Sequence, residues 1–236
     1  MREGRRIAVV IPARDEERAI GLVLAGLPDW VDVVVVADND SLDRTAEIAR
    51  AGGAIVISEP QAGYGAACLA GIAALPDVDI VVFVDGDHSD HTEDMGDLTD
   101  PIIRGEADLV IGSRALGQRE PGAMTPQQIF GNWLATRLIR LIWGARFTDL
   151  GPFRAISEPA LKRLGMTDRS FGWTVEMQVR AVECGLRVVE VPARYRRRIG
   201  HSKISGTVSG TIRAGIGILS IIARHALARG RGSPST

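Results

Sequence analysis

Short runs of apolar, largely β-branched residues alternate along the first half of the chain with longer stretches of helical character. The runs cover residues 7–11, 31–37, 54–57, 80–84, 109–111 and 188–191, and each is too short for a helix. The helical stretches cover residues 16–27, 42–51, 65–74, 92–104, 126–143 and 173–184. This alternation predicts an α/β fold with a Rossmann-like, mainly parallel sheet that carries helices on both faces.

In an open sheet of this kind, ligands bind beyond the carboxyl ends of the strands. Polar residues follow four of the runs at that point, at positions 12–17, 38–43, 85–90 and 112–114. We expect the first three of these segments to converge on one crevice.

The segment Asp85-Gly86-Asp87 closes one of the apolar runs. Residues two apart in extended or turning backbone can aim their carboxylates the same way, and such hard oxygen ligands suit Mg²⁺ or Mn²⁺. A cation with few protein ligands keeps positions open for diphosphate oxygens, and it stabilises a negatively charged leaving group. For this motif alone, the alternative is that the carboxylates cap the next helix. The neighbouring polar strand ends favour the metal site.

Other classes of ligand have less support in the sequence. Gly63 and Gly65 match the first two glycines of a dinucleotide-binding GxGxxG loop, but Cys68 stands at the position of the third. No GxxxxGK[ST] phosphate loop occurs. A formal net charge of -1 and a pI near 6.4 give no overall attraction to nucleic acid. Cys68 and Cys184 lie in no metal-binding or paired spacing, so we expect two reduced thiols.

Seven short motifs occur in order along residues 7–207. They are Ile-Pro-Ala-Arg-Asp-Glu-Glu at 11–17, Asp-Asn-Asp-Ser-Leu-Asp-Arg-Thr at 38–45, Asp-Gly-Asp at 85–87, Gly-Ser-Arg at 112–114, Asp-Leu-Gly-Pro-Phe-Arg at 149–154, Val-Glu-Met-Gln at 175–178 and Arg-Ile-Gly-His-Ser-Lys at 198–203. With these motifs the chain resembles glycosyltransferase family 2, especially its branch of dolichyl and undecaprenyl phosphate sugar transferases.

The resemblance implies a GT-A fold that binds a nucleoside diphosphate sugar, of the UDP-glucose or GDP-mannose type, together with Mg²⁺ or Mn²⁺. Asp85 and Asp87 would hold the metal. The implied donor-binding residues are Pro12, Ala13, Glu16, Asp38, Gly63, Tyr64, Asp85, Gly86 and Asp87. Two positions depart from the family pattern: Asn39 stands where many relatives have a second aspartate, which leaves the base open, and His88 replaces the usual residue after the metal motif.

The implied reaction is a direct displacement at the anomeric carbon with inversion, and the implied acceptor is a polyprenyl phosphate. A phosphate acceptor is already anionic, so it needs cationic positioning more than a general base. The predicted catalytic residues are Asp149, Arg114 and Arg154, with Asp149 near the reacting centre. The predicted acceptor residues are Arg114, Arg154, Glu176, Arg198, Ser202 and Lys203. For Asp149 the alternative is a salt bridge to a local arginine such as Arg154 or Arg146.

The sequence also predicts how the chain is organised around a membrane. We expect a catalytic domain over residues 1–203, an amphipathic helix over 204–228 and a disordered tail over 229–236. No signal-peptide region follows the N-terminus, and the longest apolar segment falls far short of the roughly 20 residues of a spanning helix. We therefore expect a cytoplasmic protein that contacts the inner membrane face peripherally.

Three surface features keep alternatives open. Residues 129–143 and 204–228 are typical of interfacial segments, with core packing or homodimerisation as the alternative. The basic run at 194–198 indicates either a solvated strand edge or a contact with anionic lipid headgroups.

Three other functions compete with the polyprenyl phosphate transferase. One is a glycosyltransferase with a hydroxyl-bearing or other lipid or sugar acceptor, and another is a non-catalytic protein that binds nucleotide sugars. The third, a sugar-phosphate nucleotidyltransferase, ranks low because residues 12–16 read Pro-Ala-Arg-Asp-Glu where such enzymes have a glycine-rich segment with a lysine.

Overall fold

The computed structural model describes residues 1–200 and 208–231, and within them the side chains of 208–214, 230 and 231 are left out of the description. In this part of the chain, seven strands form one sheet. They are β1 (Ile7–Ala13), β2 (Val33–Asp38), β3 (Ile55–Ser58), β4 (Ile80–Phe83), β5 (Leu109–Ser113), β6 (Arg154–Ser157) and β7 (Val188–Pro192). Their order across the sheet is β3-β2-β1-β4-β6-β5-β7.

All neighbouring strands run parallel except β6, which is antiparallel to both β4 and β5. The structure therefore confirms the predicted α/β fold with a mainly parallel sheet. Six of the strands coincide with predicted apolar runs, within two residues at either end. The sequence did not indicate β6, because Ala155 and Ile156 are its only apolar residues and Arg154 begins it.

Eight α-helices surround the sheet in the described residues. They are α1 (Ile20–Ala25), α2 (Thr45–Ala51), α3 (Tyr64–Ala73), α4 (Met95–Ile103), α5 (Pro126–Trp143), α6 (Glu158–Leu164), α7 (Trp173–Glu183) and α8 (Val208–Arg231), and a 3₁₀ turn at Thr92–Asp94 precedes α4. Helix α5 has the predicted bounds because its N-terminus is a capping box, in which Thr125 and Gln128 exchange hydrogen bonds. Its C-terminus is Gly144 in the left-handed conformation.

The first two helices begin later than their apolar pattern predicts. The backbone N–H of Glu16 donates to Oγ1 of Thr45 at 2.7 Å, so the residues before α1 form a loop bound to the start of α2. Asp43 in turn accepts the backbone N–H of Thr45 at 2.9 Å, which starts α2 there. These bonds hold the polar ends of β1 and β2 together.

The core has three parts. One face of the sheet packs against α1, α2 and α4, and the other packs against α3, α6 and α7. A third cluster joins α5, α7 and α8 through side chains that include Ile139, Val179 and Ile221. Cys68 is buried in the core and Cys184 is half-buried, and both are free thiols as predicted.

The C-terminal helix differs from its predicted bounds. Within the described residues α8 begins at Val208 and continues to Arg231, so residues 229–231, expected in a disordered tail, are helical. Residues 204–207 and 232–236 of the predicted helix and tail lie outside the described part of the chain. In that part, no helix is both long and apolar enough to cross a membrane.

Gly71 in α3 allows this helix to lie close to β1. A Cβ at position 71 would lie 2.5 Å from Cγ1 of the buried Val10, whereas a Cβ at Gly131 in α5 would meet nothing within 4 Å. Both glycines are helical, where alanine is intrinsically better by about 1 kcal/mol. We expect Gly71→Ala to lower the free energy of unfolding in urea by about 1–2 kcal/mol through overpacking. The control Gly131→Ala should raise it by up to about 1 kcal/mol; equal stability of the two variants would contradict the close packing.

Candidate functional site

The loop after β4 gathers three carboxylates in six residues, Asp85, Asp87 and Asp90. Oδ1 of Asp87 accepts hydrogen bonds from the backbone N–H and the hydroxyl of Ser89, at 2.9 and 2.5 Å. Oδ2 of Asp90 accepts the backbone N–H of Asp85 at 3.2 Å. The two aspartates of the predicted metal motif and a third, which the prediction omitted, thus share one turn.

Burial makes this turn electrostatically unfavourable for anions. Burial, and after it the nearby charge of Asp87, raises the pKa of Asp85 to about 7. Burial and the charge of Asp85 also raise the pKa of Asp90 well above its usual range. Oδ1 of Asp85 is buried and accepts no hydrogen bond from the described residues. A divalent cation would relieve both the repulsion and this missing contact, so the residues fit the predicted metal.

The site leaves most of a metal's coordination open. Among the described residues, no three His, Cys, Asp or Glu side chains are grouped so as to enclose a metal ion. Asp85 and Asp87 would therefore bind it together with water or diphosphate oxygens. His88, the residue that departs from the family pattern, has a positive φ of 63° in this turn, and burial followed by Arg196 lowers its pKa.

The end of β1 lies against the metal motif. A Cβ at Gly86 would lie 3.3 Å from the carbonyl oxygen of Pro12 and 3.2 Å from Cβ of Ala13, so the motif passes close to these two predicted donor residues. Glu16 is buried, and its Oε1 lies 3.6 Å from the guanidinium of Arg198. The structure thus brings the first and third polar strand ends together, as the sequence predicted.

The end of β2 contributes Asp38 and Asn39. Oδ1 of Asp38 is buried without a hydrogen-bond partner in the described residues, so it can accept a donor from a ligand. Asn39 donates to the carbonyls of Glu59 and Gln61, at 2.8 and 2.7 Å, and accepts the N–H of Gly63 at 2.8 Å. An aspartate cannot donate these bonds. Asn39 therefore holds the loop before α3, which explains an amide at this position.

The predicted donor loop at Gly63 and Tyr64 packs on backbone from a distant part of the chain. A Cβ at Gly63, which has a φ of 150°, would lie 2.1 Å from the carbonyl oxygen of Arg169. The carbonyl of Ser170 accepts the N–H of Gly65 at 3.0 Å. This close approach requires glycine at 63 and places Tyr64 beside Asp85 in the crevice.

Arg114 and Asp149 form a buried bidentate ion pair. Oδ2 of Asp149 lies 2.8 Å from Nε of Arg114, Oδ1 lies 2.8 Å from a terminal nitrogen, and the N–H of Arg114 also donates to Oδ2 at 2.7 Å. Burial opposes ionisation of Asp149, but Arg114 outweighs it and lowers the pKa of the carboxyl. Asp149 is therefore held in a salt bridge, as the alternative had it, but the partner is the distant Arg114 and not the local Arg154 or Arg146.

Two predicted site residues do not reach the crevice. Arg154 is fully buried, and its guanidinium donates to the carbonyls of Leu150, Gly151 and Thr174. The carboxylate of Glu176 is buried and binds the loop at Thr167 and Asp168, as well as Arg180. The backbone and neighbouring side chains thus already use the polar atoms of Arg154 and Glu176, and neither residue lines the crevice. Their predicted roles at the acceptor, and the catalytic role of Arg154, stay predictions. Ser202 and Lys203 lie outside the described residues.

The basic run at 194–198 is bound to the protein itself. Arg194 pairs with Asp94, Arg196 donates to the carbonyl of Asp90 at 2.9 Å, and Arg197 donates to the carbonyl of Pro121 at 2.6 Å. Arg198 pairs with Asp87 at 2.7 Å. Arg194 and Arg197 nevertheless remain exposed, whereas Arg196 and Arg198 are half-buried. The contacts tie this run to the loop after β4, and a lipid contact of the run stays a prediction.

A crevice of about 760 Å³ joins these charged residues to an apolar trench. Its charged end is formed by Asp85, Asp87, Arg114 and Arg198. Its apolar end lies between α5 and α8 and includes Phe130, Leu134, Leu150, Phe171, Ile218 and Leu219. The crevice thus combines two cations with a hydrophobic wall.

Sequence reasoning missed two residues of this site. Asp90 stands three residues after Asp87, and the cluster of three acids in six residues was the available signal. Tyr195 lines the crevice, and the guanidinium of Arg114 lies 5.0 Å from its ring centroid. A lone aromatic residue inside the basic run was its signal.

Comparison with known proteins assigns the family. The model of the family described as Glycosyl transferase family 2 matches residues 8–165. The chain belongs to this family. A glycosyltransferase of Mycobacterium tuberculosis strain H37Rv is 37% identical over 212 residues, which cover 89% of this chain and 94% of that protein.

Two other relatives of this glycosyltransferase carry names that specify an acceptor. The dolichyl-phosphate hexose transferase of Haloferax volcanii is 34% identical over 209 residues, covering 86% of this chain and 89% of its own. The undecaprenyl-phosphate mannosyltransferase of Micrococcus luteus is 30% identical over 222 residues, covering 87% and 90%.

The fold is shared with a solved glycosyltransferase. The crystal structure of glucosyl-3-phosphoglycerate synthase from Mycobacterium tuberculosis, in complex with Mn²⁺, UDP and glucosyl-3-phosphoglycerate, superposes with a TM-score of 0.77 at 24% identity. The match covers 99% of this chain and 82% of that chain. This likeness supports the GT-A architecture that the motifs implied.

The raised pKa of Asp85 predicts how the metal-free glycosyltransferase responds to pH. A carboxyl whose pKa is raised from 3.8 to about 7 in the folded state costs stability progressively as pH rises through this window. Asp85→Asn removes that cost. With chelator at pH 8 we therefore expect the free energy of unfolding of this variant to be about 1–3 kcal/mol higher than that of the parent protein, and the difference to be smaller at pH 5. Denaturant titrations at the two pH values measure this. Asp87→Asn is the matched control, because it loses the Arg198 ion pair and should not stabilise; a less stable Asp85→Asn at pH 8 would contradict the assigned burial.

Proposed function

We propose that this glycosyltransferase transfers a hexose from a nucleoside diphosphate sugar to a polyprenyl phosphate, in a reaction that uses Mg²⁺ or Mn²⁺. The observation that carries the proposal is the crevice itself. It runs from Asp85, Asp87, Arg114 and Arg198 into an apolar trench between α5 and α8. A polyprenyl phosphate matches this arrangement, because it has a charged phosphate at one end and an apolar hydrocarbon chain at the other.

The donor half of the proposal rests on the ends of β1, β2 and β4. Asp38 has a buried oxygen available to the nucleoside, and Glu16, Gly63 and Tyr64 belong to the loops that surround it. Asp85 and Asp87 would hold the metal, which when bound neutralises the diphosphate leaving group. The 24%-identical structural neighbour, which was crystallised with Mn²⁺ and UDP, is consistent with this cofactor and donor class.

The acceptor half rests on the two arginines at the charged end. Arg114 is oriented by Asp149 and stacked near Tyr195, so its guanidinium is preorganised at the crevice wall. Arg198 is about one-third exposed and reaches Asp87, which places a second cation at the junction of donor and acceptor. Two cations suit a phosphate, because hydrogen bonds between charged donors and phosphate oxygens are among the stronger ones.

The transfer needs no proton removal when the acceptor is a phosphate. A phosphate oxygen forms a bond to the anomeric carbon while the bond from that carbon to the diphosphate oxygen breaks, with inversion expected. Asp149 is occupied by Arg114 and acts through it, so it is a positioning residue and not a base. The chain's residues then contribute by placing two anions in line and by screening their repulsion.

The acceptor class is supported by the trench and by relatives named for dolichyl phosphate and undecaprenyl phosphate. The structural neighbour was crystallised with glucosyl-3-phosphoglycerate, a soluble compound, so a soluble acceptor is the alternative outcome of the tests. Peripheral membrane contact forms part of the proposal. Phe130 and Leu141 on α5, and Ile216 and Leu227 on α8, are 61%, 81%, 62% and 67% exposed.

Asp87→Asn tests the metal and the reaction together. We expect at least a hundredfold loss of turnover, because an amide cannot neutralise the cation, and we expect excess chelator to abolish activity of the parent enzyme. Product masses should be read after incubation with Mn²⁺, a panel of UDP and GDP sugars, and either polyprenyl phosphate or 3-phosphoglycerate. Full activity in chelator would refute the metal, and transfer to the soluble acid alone would refute the lipid acceptor.

Leu219→Gln tests the apolar trench. Leu219 lines the crevice and is 41% exposed, whereas Leu227, on the same helix, is 67% exposed and does not line it. Loss of about 1 kcal/mol of apolar contact should raise KM for a long-chain polyprenyl phosphate about fivefold in detergent solution. We expect Leu227→Gln to leave the KM for the long-chain substrate nearly unchanged. With a one-isoprene phosphate as acceptor, we expect neither variant to change KM appreciably. An identical KM for Leu219→Gln and Leu227→Gln on the long chain would contradict a hydrocarbon chain in the trench.

A further inference from the structure

A second cavity lies on the opposite side of α5 from the crevice. It has a volume of about 450 Å³, within the range of small-ligand sites. Its walls come from α5, from the loop before it and from the loop after it. The residues that give it its character are Arg119, Trp133, Arg137, Arg140, Arg146 and Asp149.

The four arginines of this cavity lack carboxylate partners. Within the described residues, none of Arg119, Arg137, Arg140 and Arg146 forms an ion pair, and the contacts of their guanidinium groups are with Met124 for Arg119 and with the Trp133 ring for Arg137. Asp149, the acid at the cavity wall, is already held by Arg114 and by the N–H of Leu150. The cavity therefore carries an uncompensated positive charge.

In the described residues other arginines also lack an ion pair, Arg50 among them, but four such residues line this one cavity. The chain as a whole has a formal net charge of -1. Many of its other arginines pair with a carboxylate, among them Arg2, Arg5, Arg44, Arg104, Arg114, Arg169, Arg180, Arg187, Arg194 and Arg198. All four are exposed to solvent, which screens much of their mutual repulsion, and an anion bound among them would reduce it further.

The helix presents these groups on one side. Trp133, Arg137 and Arg140 follow at intervals of four and three residues, which places them on one helical face. The guanidinium of Arg137 lies 5.8 Å from the centroid of the Trp133 ring. Trp133 is 51% exposed, and the adjacent Ile129 is 46% exposed. Arginines beside an exposed indole can bind an anion at the boundary between water and an apolar phase.

We propose that this cavity is a second binding site, for a phosphate group, separate from the donor and acceptor crevice. Guanidinium groups bind phosphate oxygens in bidentate fashion, which is the chemistry that the lining supplies. The phosphate is either the headgroup of an anionic phospholipid or a free phosphate compound. The cavity shares Met124 and Asn132 with the crevice, but none of Asp85, Asp87, Arg114 and Arg198 lines it, so phosphate binding here can be measured apart from the proposed transfer.

Arg140→Gln and Arg146→Gln test the site one charge at a time. Arg50→Gln is the matched control, because Arg50 is exposed on α2 and lines neither cavity. Binding should be measured with two probes at low salt. One is vesicles of phosphatidylcholine with and without phosphatidylglycerol, and the other is glycerol 1-phosphate in solution, followed by calorimetry and by tryptophan fluorescence.

We expect Arg140→Gln and Arg146→Gln each to weaken binding about fivefold, and Arg50→Gln to leave it unchanged. The fluorescence response should disappear in Trp133→Phe. Loss in the vesicle arm alone assigns a lipid headgroup, and loss in the soluble arm assigns a free phosphate compound. Equal behaviour of the cavity variants and Arg50→Gln with both probes overturns the proposal. Hexose transfer, assayed separately in detergent, distinguishes failure of this site from failure of the proposed function.

Discussion

Repulsion among the buried carboxylates after β4 is the constraint on which the site depends. Asp85, Asp87 and Asp90 share one turn, and burial raises the pKa of Asp85 to about 7. The protein balances part of this charge with Arg198 and with hydrogen bonds from Ser89 and from backbone. It leaves one buried oxygen of Asp85 without a partner in the described residues. A fold that keeps such a group is less stable than it could be. A divalent cation bound there would offset the negative charge and accept the unpartnered oxygen as a ligand.

Arginine serves three different purposes in this protein, and burial and partners separate them. Arg154 is enclosed by backbone carbonyls, so it organises the segment before β6. Arg114 is fixed by Asp149 and faces the crevice, which gives a cation of defined direction. Arg140 and Arg146 have no acidic partner in the described residues and face a different cavity. One residue type thus supplies a structural contact, a fixed cation in the crevice and a candidate anion site.

Helix α5 lines both the crevice and the second cavity. Ala135 and Ile139 anchor it in the cluster shared with α7 and α8. Phe130 and Leu134 lie on the crevice side, whereas Trp133 and the cationic residues lie on the other. Of the sequence-based alternatives for residues 129–143, the structure shows core packing on the face that carries Ala135 and Ile139; an interfacial or homodimer role of the other faces stays a prediction. Its capping box and the left-handed Gly144 fix the two ends of the helix.

The sequence by itself determined the features that depend on near neighbours. Apolar runs gave six of the seven described strands, capping residues gave the bounds of α5, and the Asp-Gly-Asp motif located the metal loop at a strand end. Only the tertiary structure decided which charged groups meet. Arg114 pairs with Asp149 35 positions away, and Arg198 reaches back to Asp87 from the far end of the domain. Arg154 and Glu176 look equally suited to an acceptor in the sequence, yet they are buried on backbone groups. Periodicity and turn chemistry act over a few residues, whereas the partner and the burial of a charge depend on packing between distant segments, and for this reason the motifs identified the site but not the roles of its cations.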